Sequence, residues 1–161
     1  MATTHEHLPE VYEEGRYEPG RGIGYLLGRV RAEMLNALDS ELAADAQLGP
    51  LEVTAAQLIV VASLAARPDP ASASELCKGI SYDAGAMTRM LDRLENKGLI
   101  SRERCPNDRR LVYLALTEQG QELYPRMREL SRRVQNRYLR GFTRDEAREL
   151  AAYLQRMLEN G

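Results

Sequence analysis

A chain of 161 residues, 43% of them hydrophobic, can hold one domain or a small lobe with an attached helical region; with no tryptophan and a single phenylalanine, its core must be mostly aliphatic. No apolar run approaches a membrane span, and the acidic N-terminus lacks the basic and apolar regions of a signal peptide, so the expected compartment is the cytoplasm with no membrane partner. A formal net charge of −2 excludes a uniformly basic nucleic-acid binder and leaves any such role to local arrangement.

That charge is unevenly spread. Residues 1–20 read as a flexible acidic arm in which Glu6, Glu10, Glu13, Glu14 and Glu18 oppose Arg16 alone, so the arm carries −4 and the remainder +2. His5 and His7 flank Glu6, but two histidines on a terminus are a poor metal site, and no metal or other cofactor is expected. From Arg21 to about Ala46, Ile23, Leu27, Val30, Met34 and Leu38 form a helical stripe widened by Leu26, Leu35 and Leu42. A stripe that broad should touch more than one surface, which marks residues 21–50 as a dimerisation segment. Gly49-Pro50 ends it. Thr54 caps a second helix through about Ala66, whose Leu58, Ile59, Val61, Ala62 and Ala65 make it a buried strut, and Arg67-Pro68-Asp69-Pro70 follows as a loop. Ser72 or Ser74 then starts a short helix ending near Lys78-Gly79, with Ile80 anchoring the turn beyond it. The two serines serve equally as plain caps or as phosphate contacts at a helix N-terminus.

The stretch from Ser81 to Thr117 carries the most information. Met87, Met90, Leu91 and Leu94 line one face of a helix, and Gly85, Thr88, Arg89, Asp92 and Arg93 occupy the opposite face. Ser81 or Asp83 can cap its start, and Gly98 is placed to end it in a left-handed conformation. The period then changes. Leu99–Arg104 and Leu111–Thr117 have strand character, joined by the turn signal Pro106-Asn107-Asp108 and the adjacent Arg109 and Arg110. A helix with a polar outer face followed by a basic hairpin tip is the layout of a winged helix-turn-helix over residues 51–117, whose helix enters the major groove of double-stranded DNA while the wing reaches the backbone or minor groove. The candidate DNA contacts are Ser72, Ser74, Gly85, Thr88, Arg89, Asp92, Arg93, Asp108, Arg109 and Arg110. Asp108 is read as orienting the neighbouring arginines. Only Lys78 and Lys97 are lysines, so the positive charge is nearly all arginine, which suits bidentate phosphate or guanine contacts.

Residues 118–161 read as two more dimerisation helices. Thr117 caps the first, Glu118 to about Arg140, with Leu123, Met127, Leu130, Val134 and Tyr138 on its apolar face and Pro125 expected to kink it or shift its start. Thr143 opens the second, with Asp145 and Glu146 favouring the helix dipole and Ala147, Leu150, Ala151, Leu154 and Leu158 forming its stripe. The fold class is therefore mostly α, a winged helix-turn-helix lobe with a small β-hairpin wing plus terminal helices that pair two copies. No converging catalytic groups, glycine-rich phosphate loop or spaced metal ligands are present, so an enzyme is not expected. Cys77 and Cys105 read as free thiols.

Thr88-Arg89-Met90-Leu91-Asp92-Arg93-Leu94, Lys97-Gly98-Leu99 and Asn107-Asp108-Arg109-Arg110 with Leu116-Thr117 resemble the signature of the MarR family of bacterial regulators, and Val53-Thr54-Ala55-Ala56-Gln57 resembles the start of that family's second helix. The resemblance covers the chain from about Gly22 onward. It implies a homodimeric winged-helix regulator, commonly a repressor released from a palindromic operator by a small aromatic or phenolic ligand. It also implies a ligand pocket between the first, second and fifth helices, where Tyr25 and Arg29, one turn apart, could hold an aromatic carboxylate. Two rival readings stand beside it. Cys105 next to Arg104 could act as a redox-sensing thiol, although the family's peroxide-sensing branch uses a cysteine near the first helix, where this chain has none. A helical dimerisation protein that binds no DNA would not need the Arg109-Arg110 tip.

Overall fold

The structure, a computed structural model, describes residues 10–13, 15–80, 83–104 and 112–161, and of 78–80 the backbone alone. Its contacts divide the chain into two units, Met1–Glu33 and Met34–Gly161. Helix α1, Ile23–Ala44, begins in the first and ends in the second.

In the first unit the tyrosines Tyr12 and Tyr17 stack edge-on at 4.8 Å between ring centres. The Tyr12 hydroxyl oxygen accepts a hydrogen bond from the Ile23 amide at 3.1 Å, which satisfies one of the free N–H groups at the start of α1. Ile23, Leu26, Leu27 and Val30 along this half of α1 are all exposed.

The second unit continues through a short 3₁₀ turn (Gly49–Leu51), α2 (Ala55–Ala65), β1 (Ala71–Ser72), α3 (Ala73–Ile80) and α4 (Ala84–Asn96). It ends with β2 (Ile100–Arg104), β3 (Val112–Leu116), α5 (Glu118–Tyr138) and α6 (Arg144–Asn160). The helix starts fall where the capping residues predict. Thr54 accepts from Gln57, Asp83 from Ala86, Thr117 from Gly120 and Thr143 from Glu146, and Thr54 and Thr143 each close a full capping box. α5 begins at Glu118 and runs on past Pro125 to Tyr138, so the proline does not shift its start.

The sheet has three strands rather than the two of the expected hairpin. Its order is β1-β3-β2, all antiparallel, with Ala71 opposite Leu114 and β2 and β3 paired from Ile100–Leu116 to Arg104–Val112. β1 is two residues long, too short to show an alternating pattern in sequence.

The core is aliphatic as composition requires. Leu42, Val60, Val61, Leu76, Met87, Leu94, Leu99, Ile100, Leu114, Met127 and Leu130 are almost fully buried. Each large side chain so buried contributes roughly 1.5–3 kcal/mol of transfer free energy. α2 buries Leu58, Val60, Val61 and Leu64 and packs on α5; Leu58 and Val61 are buried as expected, whereas Ile59, Ala62 and Ala65 are half-buried. Two glycines set the junction of lobe and helix. Gly98 has φ +70° and turns the chain out of α4. At Gly120 a Cβ would stand 2.1 Å from the Leu99 carbonyl oxygen, so only glycine lets α5 approach β2 this closely.

Charge pairs fasten the end of α1 to α5. Asp45 is nearly buried, accepts from the amides of Gln47 and Leu48, and receives Arg126 Nε at 2.7 Å. Burial pushes the Asp45 carboxyl up, but these hydrogen bonds outweigh it and hold it below the ordinary aspartate value. Glu41 takes two arginines, Arg133 at 3.0 Å and Arg137. α6, by contrast, buries no residue at all.

Candidate nucleic-acid interface

The helix that sequence reasoning singles out is divided cleanly between two faces. Met87, Leu91 and Leu94 are buried, while Gly85, Thr88, Arg89, Asp92 and Arg93 are exposed together on the other side. The first turn, Ala84-Gly85-Ala86, presents little bulk beyond the Asp83 cap, which permits close approach of another surface. The Thr88 hydroxyl donates to the Ala84 carbonyl at 2.8 Å, so its lone pairs face outward as acceptors.

The charges on this face are sorted. Arg102, on β2, reaches across to Asp92 at 2.6 Å and Glu95 at 3.4 Å. One guanidinium thereby pairs with both acids near the recognition face and offsets one of their two charges, and α4 is braced against the sheet. Arg89 and Arg93 have no ion-pair partner among the described residues. What the face offers to a ligand is therefore two unpaired guanidiniums, a threonine and a bare first turn. That combination suits a groove edge rich in acceptors and flanked by phosphates.

A second brace holds the far end of α4. Lys97, its C-cap residue, donates to the Glu52 carbonyl oxygen and, at 3.1 Å, to the Gln57 side-chain oxygen. The same Gln57 oxygen accepts from the Thr54 amide in the α2 capping box, so one buried amide joins the end of α4 to the start of α2. Burial lowers the Lys97 pKa, with a nearby Arg93 adding to the effect and Glu52 opposing it. Arg102 and Lys97 were not among the residues expected to build the site. Their signal in sequence is weak, because each depends on partners 10 or 40 positions away.

The other candidates are placed unevenly. Ser72 lies in β1 and its hydroxyl is spent on Glu75, donating to the carboxylate at 2.7 Å and accepting from the Glu75 amide at 3.3 Å. That is a capping box, and it sets a carboxylate where a phosphate would approach. Ser74 stands exposed in the first turn of α3. Asp108, Arg109 and Arg110 lie outside the described residues, as do Cys105, Ser81 and the two histidines. Cys77 is half-buried on α3. In the first unit Tyr25 and Arg29 are both exposed, and Arg29 donates to Glu33 at 2.9 Å. The hydrogen bond to Glu33, and then one involving Tyr25, raise its pKa above the ordinary arginine value. Among the described residues no helix is long and apolar enough to cross a membrane.

Comparison with known proteins matches this geometry. Residues 53–112 fit the model of the MarR family. The structure of a cysteine-to-serine variant of E. coli MarR complexed with operator DNA is 33% identical, covers 84% of this chain and 92% of that one, and superposes with a TM-score of 0.72. The transcriptional repressor CouR bound to a 23-mer DNA duplex is 28% identical over 85% of this chain and 92% of its own, with a TM-score of 0.74. BpsR of Bordetella bronchiseptica, whose DNA binding is regulated by 6-hydroxynicotinic acid, shares the fold at 23% identity, covering 91% and 99% of the two chains with a TM-score of 0.75. The motifs around α4, the three-stranded winged-helix lobe and these likenesses agree, and the chain belongs to the MarR family of DNA-binding transcriptional regulators.

Proposed function

We propose that the protein is a cytoplasmic homodimeric repressor that grips a palindromic operator and lets go when a small aromatic or phenolic ligand binds. The observation that carries the DNA-binding mode is the sorted outer face of α4, where Arg102 pairs with both Asp92 and Glu95 and leaves Arg89 and Arg93 unpaired. In this reading Arg89 contacts a guanine edge, with Gly85, Thr88 and Arg93 beside it. Arg109 and Arg110 meet phosphates or a narrow minor groove from the wing, Asp108 orients them, and Ser74 approaches a phosphate. Residues 51–117 form the DNA-binding lobe, preceded by the acidic arm of residues 1–20.

Pairing of two copies is supported by the apolar side chains left exposed on each terminal helix: Ile23, Leu26 and Val30 in α1, and Leu150, Tyr153, Met157 and Leu158 in α6. Residues 21–50 and 118–161 would supply that interface and set the two recognition helices about one DNA turn, roughly 10 base pairs, apart. Tyr25 and Arg29 are the ligand contacts that the family resemblance offers.

The test begins with selection of a preferred duplex from a random pool. Binding of the parent, Arg89→Ala and Arg109→Ala is then followed by fluorescence anisotropy against selected and scrambled duplexes across a salt series. Arg89→Ala should lower the ratio of specific to random affinity, whereas Arg109→Ala should weaken both duplexes alike and reduce the salt slope by about one. An unchanged ratio in Arg89→Ala removes the base-reading role. Sedimentation showing a folded monomer at micromolar concentration removes the dimer.

A further inference from the structure

The start of α2 gathers hydrogen bonds from both α1 and α4. Ala55, the first residue of α2, donates its amide to the Asp39 carboxylate of α1 at 2.6 Å, which sets an anion at the positive end of the helix. Just before it, Glu52 has φ +50° and ψ +41°, and among the described residues it alone, glycines aside, has a positive φ. That conformation costs a residue with a Cβ energy and persists only where its surroundings hold it. The Glu52 carbonyl oxygen accepts from Lys97 Nζ, and the same ammonium donates to Gln57 Oε1 at 3.1 Å. Gln57 is only 3% exposed, and its oxygen also accepts from the Thr54 amide at 3.1 Å. One ammonium at the C-cap of α4 is thus spent on the turn and helix that Asp39 holds to α1.

The other attachments of α4 differ in kind. Met87, Leu91 and Leu94 are buried in an aliphatic core, and apolar burial has no direction, so it fixes the depth of the helix better than its angle. Arg102 holds Asp92 and Glu95 to β2, which ties α4 to the wing strand. The Lys97 bonds are directional and anchor the far end of α4 against α2. The α1 segment in this same unit is held in turn to α5, through Asp45 with Arg126 just past its end and Glu41 with Arg133 and Arg137.

From this geometry we propose that Lys97 is a positioning residue for operator recognition. It fixes the end of α4 against the start of α2, and so against α1, and thereby sets the spacing of half-sites that two recognition helices reach together. The inference rests on the homodimeric reading above, in which residues 21–50, and hence α1, help join the two copies. Adding one base pair between half-sites moves one of them along the duplex and turns it by roughly a tenth of a helical turn. A helix held at one angle meets one such arrangement, whereas a helix freed at its end follows several.

Anisotropy with the full chain tests this, using the selected duplex and versions with one base pair added or removed between the half-sites. The parent should discriminate sharply among them. Lys97→Met, which keeps the length and loses the donors, should lower that discrimination about tenfold or more. Its salt slope on the selected duplex should stay unchanged, because the ammonium is spent inside the protein. Lys97→Arg, which keeps charge and donors, should restore most of the preference. Gln57→Leu should flatten it as well and add little on top of Lys97→Met, since both remove the same bond. If Lys97→Met does not fold, Lys97→Gln gives the same comparison. Discrimination intact in the folded variant overturns the proposal, and a salt slope reduced by about one beside it makes Lys97 an ordinary phosphate contact. An equal loss at every spacing, with a lower thermal midpoint, overturns it too and leaves Lys97 only a stabilising role. A parent indifferent to spacing sinks the paired half-site reading and this inference with it. That result is distinct from failure of the inference alone, in which parent and variant discriminate equally.

Discussion

α4 and α6 are built from the same recipe and reach opposite ends. Each is an amphipathic helix opened by a side-chain cap, Asp83 in one and Thr143 in the other. α4 buries Met87, Leu91 and Leu94 in the lobe, whereas α6 buries nothing and leaves Leu150, Tyr153, Met157 and Leu158 in contact with solvent. An apolar stripe therefore says that a face needs covering, not what covers it. In α4 the cover is this chain's own core, and the polar face is what remains for the proposed DNA contact. In α6 the apolar face itself is what remains, and a second copy is the proposed cover.

The largest effect that separates the two comes from truncating the stripes. Leu94→Ala should cost about 2–5 kcal/mol in denaturant unfolding, since it opens a cavity in a fully buried position. Leu158→Ala, at 76% exposure, should leave the unfolding of the lobe nearly unchanged and weaken self-association seen by sedimentation. Equal losses of lobe stability would mean that α6 belongs to the same core.

The polar faces differ next. Arg89→Ala should reduce specific DNA binding by about 1–3 kcal/mol. Arg156→Ala on α6 should reduce it far less, because that guanidinium lies 5.4 Å from the Tyr153 ring centre on a helix outside residues 51–117. Anisotropy with a common duplex compares them directly, and a matching loss in Arg156→Ala would extend the DNA footprint to the last helix.

Caps should show the two helices at their most alike. Asp83→Ala and Thr143→Ala each remove a cap, worth typically about 1 kcal/mol to the helix concerned. Amide hydrogen exchange resolves where the loss falls: Asp83→Ala should loosen the first turn of α4, and Thr143→Ala that of α6, with no cross-effect.

The smallest effect is the pH response of the α6 start. Glu146 accepts from the Thr143 amide and hydroxyl, and these hydrogen bonds, the backbone one first, hold its carboxyl below the ordinary glutamate value. A depressed folded pKa means that the contribution is fully present above the unfolded value, about 4.3, and is lost as pH falls through the lower folded one. Protection of the first-turn amides of α6, corrected for the intrinsic pH dependence of exchange, should therefore fall on acidification in the parent. In Glu146→Gln, which keeps the hydrogen-bonding shape without the titration, it should stay flat over the same interval.

Much of this molecule is local, and what is local is legible in the chain. Thr54, Asp83, Thr117 and Thr143 cap helices because a short oxygen-bearing side chain before an apolar period satisfies amides only two or three residues away. Met87, Leu91 and Leu94 face inward because of the helical period, and Gly98 turns the chain because a left-handed residue favours glycine. The motifs around Arg89 and Lys97 lie in one continuous stretch, so the family too could be read there. Tertiary structure decided the rest. It alone paired Arg102 with Asp92, Lys97 with Gln57, Asp45 with Arg126 and Glu41 with two arginines, and it alone made a strand of Ala71–Ser72 by laying it against β3. Caps and stripes depend on neighbours a few bonds or one helical turn apart, whereas ion pairs, edge strands and cavities depend on which surfaces meet. Only the packed core fixes that meeting.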